Sequence, residues 1–243
     1  MPLAKVNALL FDVFGTVVDW RSGIAREAAG FLARQGLSEI DPHAFADAWR
    51  ARYQPAMEEI RSGSRGFVRL DTLHRENLEQ VLSSLDIDPS GIDGADLDDL
   101  TRAWHRLDPW PDALAGLSRL KTRFIVAPLS NGNVALLLNM AKRAGLPWDA
   151  ILGAELVQAY KPAQEAYLRT ADMLGLAPHE ICLVAAHNDD LAAARDCGWR
   201  TAFVPRPEEH GEGQTIDLAP EQDWDVIASD FLDLAGRLGV PTP

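Results

Sequence analysis

The chain has 243 residues, 47% of them apolar and 24% charged, with a formal net charge of −13 at pH 7. This composition describes a folded globular protein, one large domain or a main domain with a smaller insert, and excludes a disordered chain. The acidic balance argues against a nucleic-acid or anionic-membrane partner, although a few local cations would still serve a small anion in a cleft.

Cys182 and Cys197 are too few for a disulfide framework. Cys182 lies in an apolar run and reads as a small buried hydrophobe; a bridge between the two is unsupported. The opening MPLAKVNALLFDVFG lacks a cleavable-signal pattern, and no apolar run reaches spanning length, so a cytoplasmic protein is expected.

In chain order, VNALLFDV (6–13) is the first apolar, strand-like segment, ending in an acid before the turn Gly15-Thr16. From 21 to 107 the pattern is helix after helix, over IAREAAGFLARQG, HAFADAWRARYQPAMEEIRSG, LDTLHRENLEQVLSSL and GADLDDLTRAWHRL. LDPWPDA marks the return to a different pattern. Four more short apolar runs follow, RFIVAPLS, AILGAELV, EICLVAAH and RTAFVP, as expected of strands covered on both faces. Helical patterns NVALLLNMAKRAG, PAQEAYLRTADMLG and DLAAARDCGW separate them. EEHGEGQ (208–214) reads as an exposed loop, and DWDVIASDFLDLAGRLG as a closing amphipathic helix.

This alternation predicts an α/β fold, a doubly wound parallel-sheet (Rossmann-like) core with an inserted all-helical cap. The core is expected over 1–20 and 108–243 and the cap over 21–107. Ligands of such sheets bind at the carboxyl ends of the strands. Asp12, Ser130, Lys161 and Asp190 each fall at or just beyond such an end, so distant parts of the chain would deliver them to one crevice under the cap. Pro162 suits the first turn of a helix and pushes Lys161 into an extended conformation.

FDVFGT, followed by SNG and YKP at successive strand ends, resembles the haloacid dehalogenase superfamily and, more narrowly, the type II 2-haloacid dehalogenases. The resemblance spans essentially the whole chain. It implies a hydrolase that converts an L-2-haloalkanoate to a 2-hydroxyalkanoate with no cofactor and no metal. The implied partner is a small 2-halocarboxylate substrate, with no nucleic acid and no membrane; a homodimer is the assembly often found among related enzymes.

By this resemblance Asp12 is the nucleophile, forming an ester with the substrate carbon, and Thr16 holds its rotamer. Two residues on, where the superfamily's phosphatases carry a second Asp, stands Phe14, which can neither protonate a leaving group nor organise a metal. Ser130 would bond the substrate carboxylate or the nucleophile, or simply cap the following helix. Asn131 matches a contributor to halide contacts. Tyr167 matches a tyrosine that orients this region, with ordinary helix packing as the alternative.

An ionised Asp12 must approach a second carboxylate to roughly 5 Å, a repulsion of about 3 kcal/mol at an effective dielectric of about 20. The site therefore needs a cation, and Lys161 is placed to be it. Arg50 aligns with the arginine that receives the departing halide, with Arg52 as competitor. Asp190 matches the acid that positions or activates hydrolytic water, with Asp189 as rival. Many type II enzymes have Ser-Ser-Asn where this chain has Ala185-Ala186-His187. His187 then replaces the Asn as a bonding group or handles protons near neutral pH. Arg50 and Asn131, joined by His187, would make a compact donor set, so fluoroacetate is an expected substrate. The competing readings are another hydrolase on this scaffold, a phosphatase or a strained-ring amino acid hydrolase, and a non-catalytic binding protein.

Overall fold

The computed structural model describes residues 3–242. The chain opens with β1 (Ala8–Phe11) and β2 (Val18–Asp19), then passes through α1 (Trp20–Arg34), α2 (Pro42–Ala51), α3 (Tyr53–Arg61), α4 (Leu70–Ser84) and α5 (Gly94–Thr101). It returns through β3 (Asp108–Pro109), α6 (Ala113–Lys121), β4 (Ile125–Ser130), α7 (Val134–Ala144), β5 (Leu152–Gly153), α8 (Ala154–Val157) and α9 (Gln164–Leu174). Last come β6 (Ile181–Ala185), α10 (Asn188–Asp196), β7 (Arg200–Phe203), β8 (Val226–Ile227) and α11 (Phe231–Arg237).

Six strands form one sheet in the order β5-β4-β1-β6-β7-β8. β1 is central and parallel to both neighbours, with Phe11 opposite Pro128 and Val184. Its four residues are all buried because each face has its own apolar partner. Leu9 and Phe11 join a cluster with Leu117 of α6, Leu136 of α7 and Phe231 of α11. Ala8 and Leu10 join another with Tyr167 of α9 and Leu191 of α10. The strand period of two thus sorts one continuous apolar run onto two cores.

The helical cap leaves and rejoins the core through a narrow neck, in which β2 and β3 pair antiparallel, Val18 opposite Pro109. Trp20, Phe31, Phe45, Trp49 and Tyr53 share the cluster of Leu9 and Phe11, so the cap's interior runs into one face of the core. Polar contacts fix its position: the Tyr160 hydroxyl donates to the Val68 carbonyl at 2.6 Å, and the Arg61 guanidinium to the Lys161 carbonyl at 3.2 Å. No helix among the described residues is long and apolar enough to cross a membrane. Both cysteines are buried and free.

Local physics explains where the elements depart from expectation. The long helix expected over 43–63 is two, α2 and α3, because Pro55 has no N–H to give to the preceding turn. AILGAELV is strand only over Leu152–Gly153 before turning into α8. A Cβ on Gly153 would lie 2.5 Å from the Gly132 carbonyl oxygen, so only glycine lets this edge strand approach that close and turn away. The closing helix is also shorter: Val226 and Ile227 add an edge strand to β7, and the Asp230 carboxylate caps α11 through the Asp233 amide at 2.7 Å. Pro162 precedes α9 instead of opening it.

α6 and α11 pack so closely that a Cβ on Gly116 would lie 2.3 Å from the Phe231 Cβ and 2.9 Å from its carbonyl carbon. Gly116→Ala should destabilise the protein by about 1–3 kcal/mol through overpacking, read as a lowered urea midpoint. An unchanged midpoint would mean that α11 yields.

Candidate active site

Asp12 follows β1 directly and is buried, 7% exposed. Its Oδ1 accepts the Lys161 ammonium at 2.8 Å. Its Oδ2 accepts the Thr16 hydroxyl at 2.8 Å and faces the His187 Nδ1 at 3.0 Å. Thr16 in turn accepts the Ala186 amide at 2.9 Å, fastening the turn after Asp12 to the end of β6. That backbone bond survives the loss of side-chain polarity in Ala185-Ala186.

Lys161 is 8% exposed and also pairs with Asp190 Oδ2. The other Asp190 oxygen accepts the Tyr167 hydroxyl at 2.6 Å, and Asn131 Oδ1 accepts the Lys161 amide at 2.8 Å. Burial opposes ionisation of Asp12, but Lys161 and His187 outweigh it and hold the carboxylate well below the usual range. Burial also works against the Lys161 ammonium, yet Asp12 and Asp190 raise its pKa. Asp190 is pushed up, first by burial and then by the charge of Asp12.

A cavity of about 60 Å³ opens between these strand ends and the junction of α2 and α3. Drug-sized ligands need several hundred Å³, so this space admits only a few heavy atoms. Asp12, Phe14, Asn131, Lys161, His187 and Asp190 line it from the core, Arg50, Tyr53 and Gln54 from the cap. The Arg50 guanidinium lies 4.1 Å from the centre of the Tyr53 ring and 5.3 Å from that of Trp20, with its buried Nη1 lacking a hydrogen-bond partner. Arg52 turns away to Gln80 at 2.9 Å and does not line the cavity, as Arg50 does. Phe14 is edge-on to Trp104 at 5.7 Å and brings no oxygen to the cavity.

Some expected residues stand differently. Ser130 does not line the cavity; its Oγ accepts the Gly132 amide at 3.1 Å within the turn. Asp189 does line it, while bonding the Asp190 amide at 2.7 Å. Tyr167 is fully buried, absent from the cavity wall, and bonded to Asp190. Both His187 nitrogens are engaged, by Asp12 and, at 2.9 Å, by Glu209, so neither is left to bind a halide.

Glu209 corrects the reading of 208–214 as an exposed loop, because it is only 1% exposed. Arg206, paired with Asp112 at 2.7 Å, donates to the Thr16 carbonyl at 2.9 Å and pins this loop under the turn of Gly15 and Thr16. Glu209 then meets His187 and accepts the Trp20 indole N–H at 3.0 Å. Composition gave no sign of this; the charged, glycine-rich segment looks solvated.

The sequence pattern of the haloacid dehalogenase-like hydrolases matches residues 6–198. The chain belongs to that family. Among relatives of this haloacid dehalogenase-like hydrolase is (S)-2-haloacid dehalogenase 4A of Burkholderia cepacia, 30% identical over 89% of each chain. The crystal structure of the defluorinating L-2-haloacid dehalogenase Rha0230 is 58% identical, with a TM-score of 0.95 over 96% of this chain and 95% of that one. That of the L-2-haloacid dehalogenase PA0810 is 47% identical, with a TM-score of 0.92 over 97% of this chain and 100% of that one.

Gly15 has φ +89°, and a Cβ there would lie 2.1 Å from Glu209 Oε1. Gly15→Ala therefore combines left-handed strain with a collision against a buried carboxylate, and should destabilise by about 1–3 kcal/mol in urea unfolding. A wild-type midpoint would show that the Glu209 loop moves aside freely.

Proposed function

We propose that this family member is a hydrolytic L-2-haloacid dehalogenase that works through an Asp12 ester. The observation that carries the reading is Asp12, kept ionised by Lys161, across a cavity of about 60 Å³ from the unpartnered Arg50 Nη1. A nucleophile and a free guanidinium N–H are what displacement of a small leaving group at carbon requires. Rha0230 and PA0810, L-2-haloacid dehalogenases at 58% and 47% identity, support the dehalogenase activity. The division of labour follows the chain, with 1–20 and 108–243 as catalytic core and 21–107 as cap.

In the first half-reaction Asp12 attacks the carbon from behind the halogen, inverting it, and the halide leaves towards Arg50. Charge grows on the halogen only as its bond breaks, so the guanidinium favours the transition state over bound substrate. Asn131, whose Oδ1 is taken by Lys161, has its amide N–H groups for the halide. Lys161 screens Asp12 from the substrate carboxylate, Asp190 and Tyr167 hold Lys161, and Thr16 fixes the nucleophile's rotamer. In the second half-reaction water opens the ester at the Asp12 carbonyl, which leaves the inverted carbon untouched. Fluoride is small and a poor leaving group, and a compact cavity closed by Arg50 suits it, so fluoroacetate belongs among the substrates.

Halide release from a haloacetate panel tests the activity. Asp12→Asn should abolish turnover without unfolding the protein. In heavy-oxygen water the first turnover should give product whose new hydroxyl oxygen comes from Asp12; solvent label throughout that first product would rule out the ester.

Arg50→Ala and Lys161→Ala should differ across fluoro-, chloro- and bromoacetate. Arg50→Ala should cost on the order of a hundredfold or more in kcat, most for fluoride. Lys161→Ala should cost roughly a hundredfold for every halogen, since the substrate carboxylate it screens is common to all. Equal halogen dependence in the two variants would overturn this division of roles.

A further inference from the structure

Glu209 is an anomaly that the reaction as described does not use. A carboxylate drawn from a largely solvent-facing loop and buried to 1% exposure carries a large desolvation cost, and the turn at Gly15 leaves no room for a side chain beside it. Its partners are His187 Nε2 at 2.9 Å, Trp20 Nε1 at 3.0 Å and, more distantly, His210 Nε2 at 3.7 Å. His187 stands at the N-terminus of α10 yet does not cap it with its side chain; the ring bridges Asp12 and Glu209 instead. We infer that His187 is the base that draws the proton from the hydrolytic water, and that Glu209 is the positioning residue that holds its ring and tautomer.

The inference rests on the dehalogenase reading above. An ionised carboxylate only accepts hydrogen bonds, so a ring between two of them carries a proton on both nitrogens in the resting site. Burial favours the neutral ring, but Glu209 and Asp12 outweigh it and raise His187 well above its ordinary value. The other charges facing this pair are His210 on the loop, Arg50 from α2, Lys161, and Asp189 and Asp190 on α10 itself. Of the carboxylates here that are buried, Asp12, Asp190 and Glu209 are thereby matched by Lys161, Arg50 and the His187 imidazolium, while Asp189 is exposed to solvent.

Alkylation changes that balance. When Asp12 becomes an ester it loses its charge, and the imidazolium loses one of its two anions. His187 can then release a proton into the second cavity it borders, a space of about 470 Å³ also lined by Glu209 and His210. This is the net proton of the overall reaction, in which the haloacid and water yield hydroxyacid, halide and a proton. Glu209 keeps the remaining hydrogen on Nε2, so the Nδ1 lone pair faces the ester. Water adds to the Asp12 carboxyl carbon and passes one proton to Nδ1, restoring the imidazolium. The acyl carbon–oxygen bond then breaks; the departing alkoxide takes the water's second proton, and Asp12 is again a carboxylate. Asp190 is less available for this work, since its two oxygens accept Lys161 and Tyr167.

The test is rapid mixing of the full chain with chloroacetate, following chloride and the Asp12 adduct by intact mass. Wild type should release chloride steadily with little adduct. Glu209→Gln should keep a stoichiometric chloride burst but accumulate ester, whose hydrolysis slows on the order of tenfold or more; His187→Ala should slow it roughly a hundredfold or more. Glu209→Asp should restore part of the rate. The base must be neutral, so ester hydrolysis fails as pH falls through the His187 pKa. Removing the Glu209 charge lowers that pKa, and the acid limb should move to lower pH. Alkylation and hydrolysis falling together with the limb unmoved, or an ester lifetime equal to wild type, would overturn the relay while leaving the dehalogenase reading intact. No halide from wild type on any haloacetate would overturn that reading and the relay with it.

Discussion

The arrangement depends on one ammonium. Lys161 bridges Asp12 and Asp190, two buried carboxylates from different strand ends, and without a shared cation they could not both ionise at neutral pH. Everything near Lys161 serves to keep it there. Asn131 accepts its amide, Tyr167 occupies the far side of Asp190, and Arg61 of the cap donates to its carbonyl. Position thus keeps Asp12 ionised: the parallel sheet delivers the ends of β1 and β6 side by side, and the segment between α8 and α9 supplies the cation between them.

The cap completes what the core leaves open. Arg50 reaches the cavity through a set of aromatic rings, Trp20 and Tyr53 beneath the guanidinium and Trp49 and Trp104 packed behind. His74, stacked on Trp104 at 4.4 Å, has its pKa lowered to about 3, chiefly by burial, and adds no charge to this wall. A guanidinium among neutral rings keeps a donor free for an incoming anion, where a carboxylate partner would have consumed it. The cap also docks by ordinary polar bonds: Asn133 of the core donates to Asp71 at 2.8 Å, and Asn139 of α7 faces His105 Nδ1 at 3.0 Å.

How much of this was legible depended on the kind of signal. Strands covered on both faces are short apolar runs, and Asp12, Lys161 and Asp190 stand where such runs end, so local pattern located them. Elements mixing two periods were misjudged: Val226–Ile227 pairs with β7 where a helix was expected, and Ala154–Val157 is helical where a strand was expected. Ser130 illustrates a different limit. Its place beside the crevice follows from the strand, but the direction of its hydroxyl follows from the turn, and it bonds Gly132.

The sequence by itself determined the fold class, the helical insertion after the first strand and the acid and lysine at the strand ends, because each is written in residues close together along the chain. The choice of Arg50 over Arg52 depended on where α2 breaks into α3 and which way each side chain then turned. The pairing of His187 with Glu209, 22 residues apart, depended on Arg206 pulling a loop beneath the turn of Gly15 and Thr16. Tertiary structure alone decided these contacts, since a charged residue in a polar loop has the same local pattern whether solvent or a buried imidazole receives it.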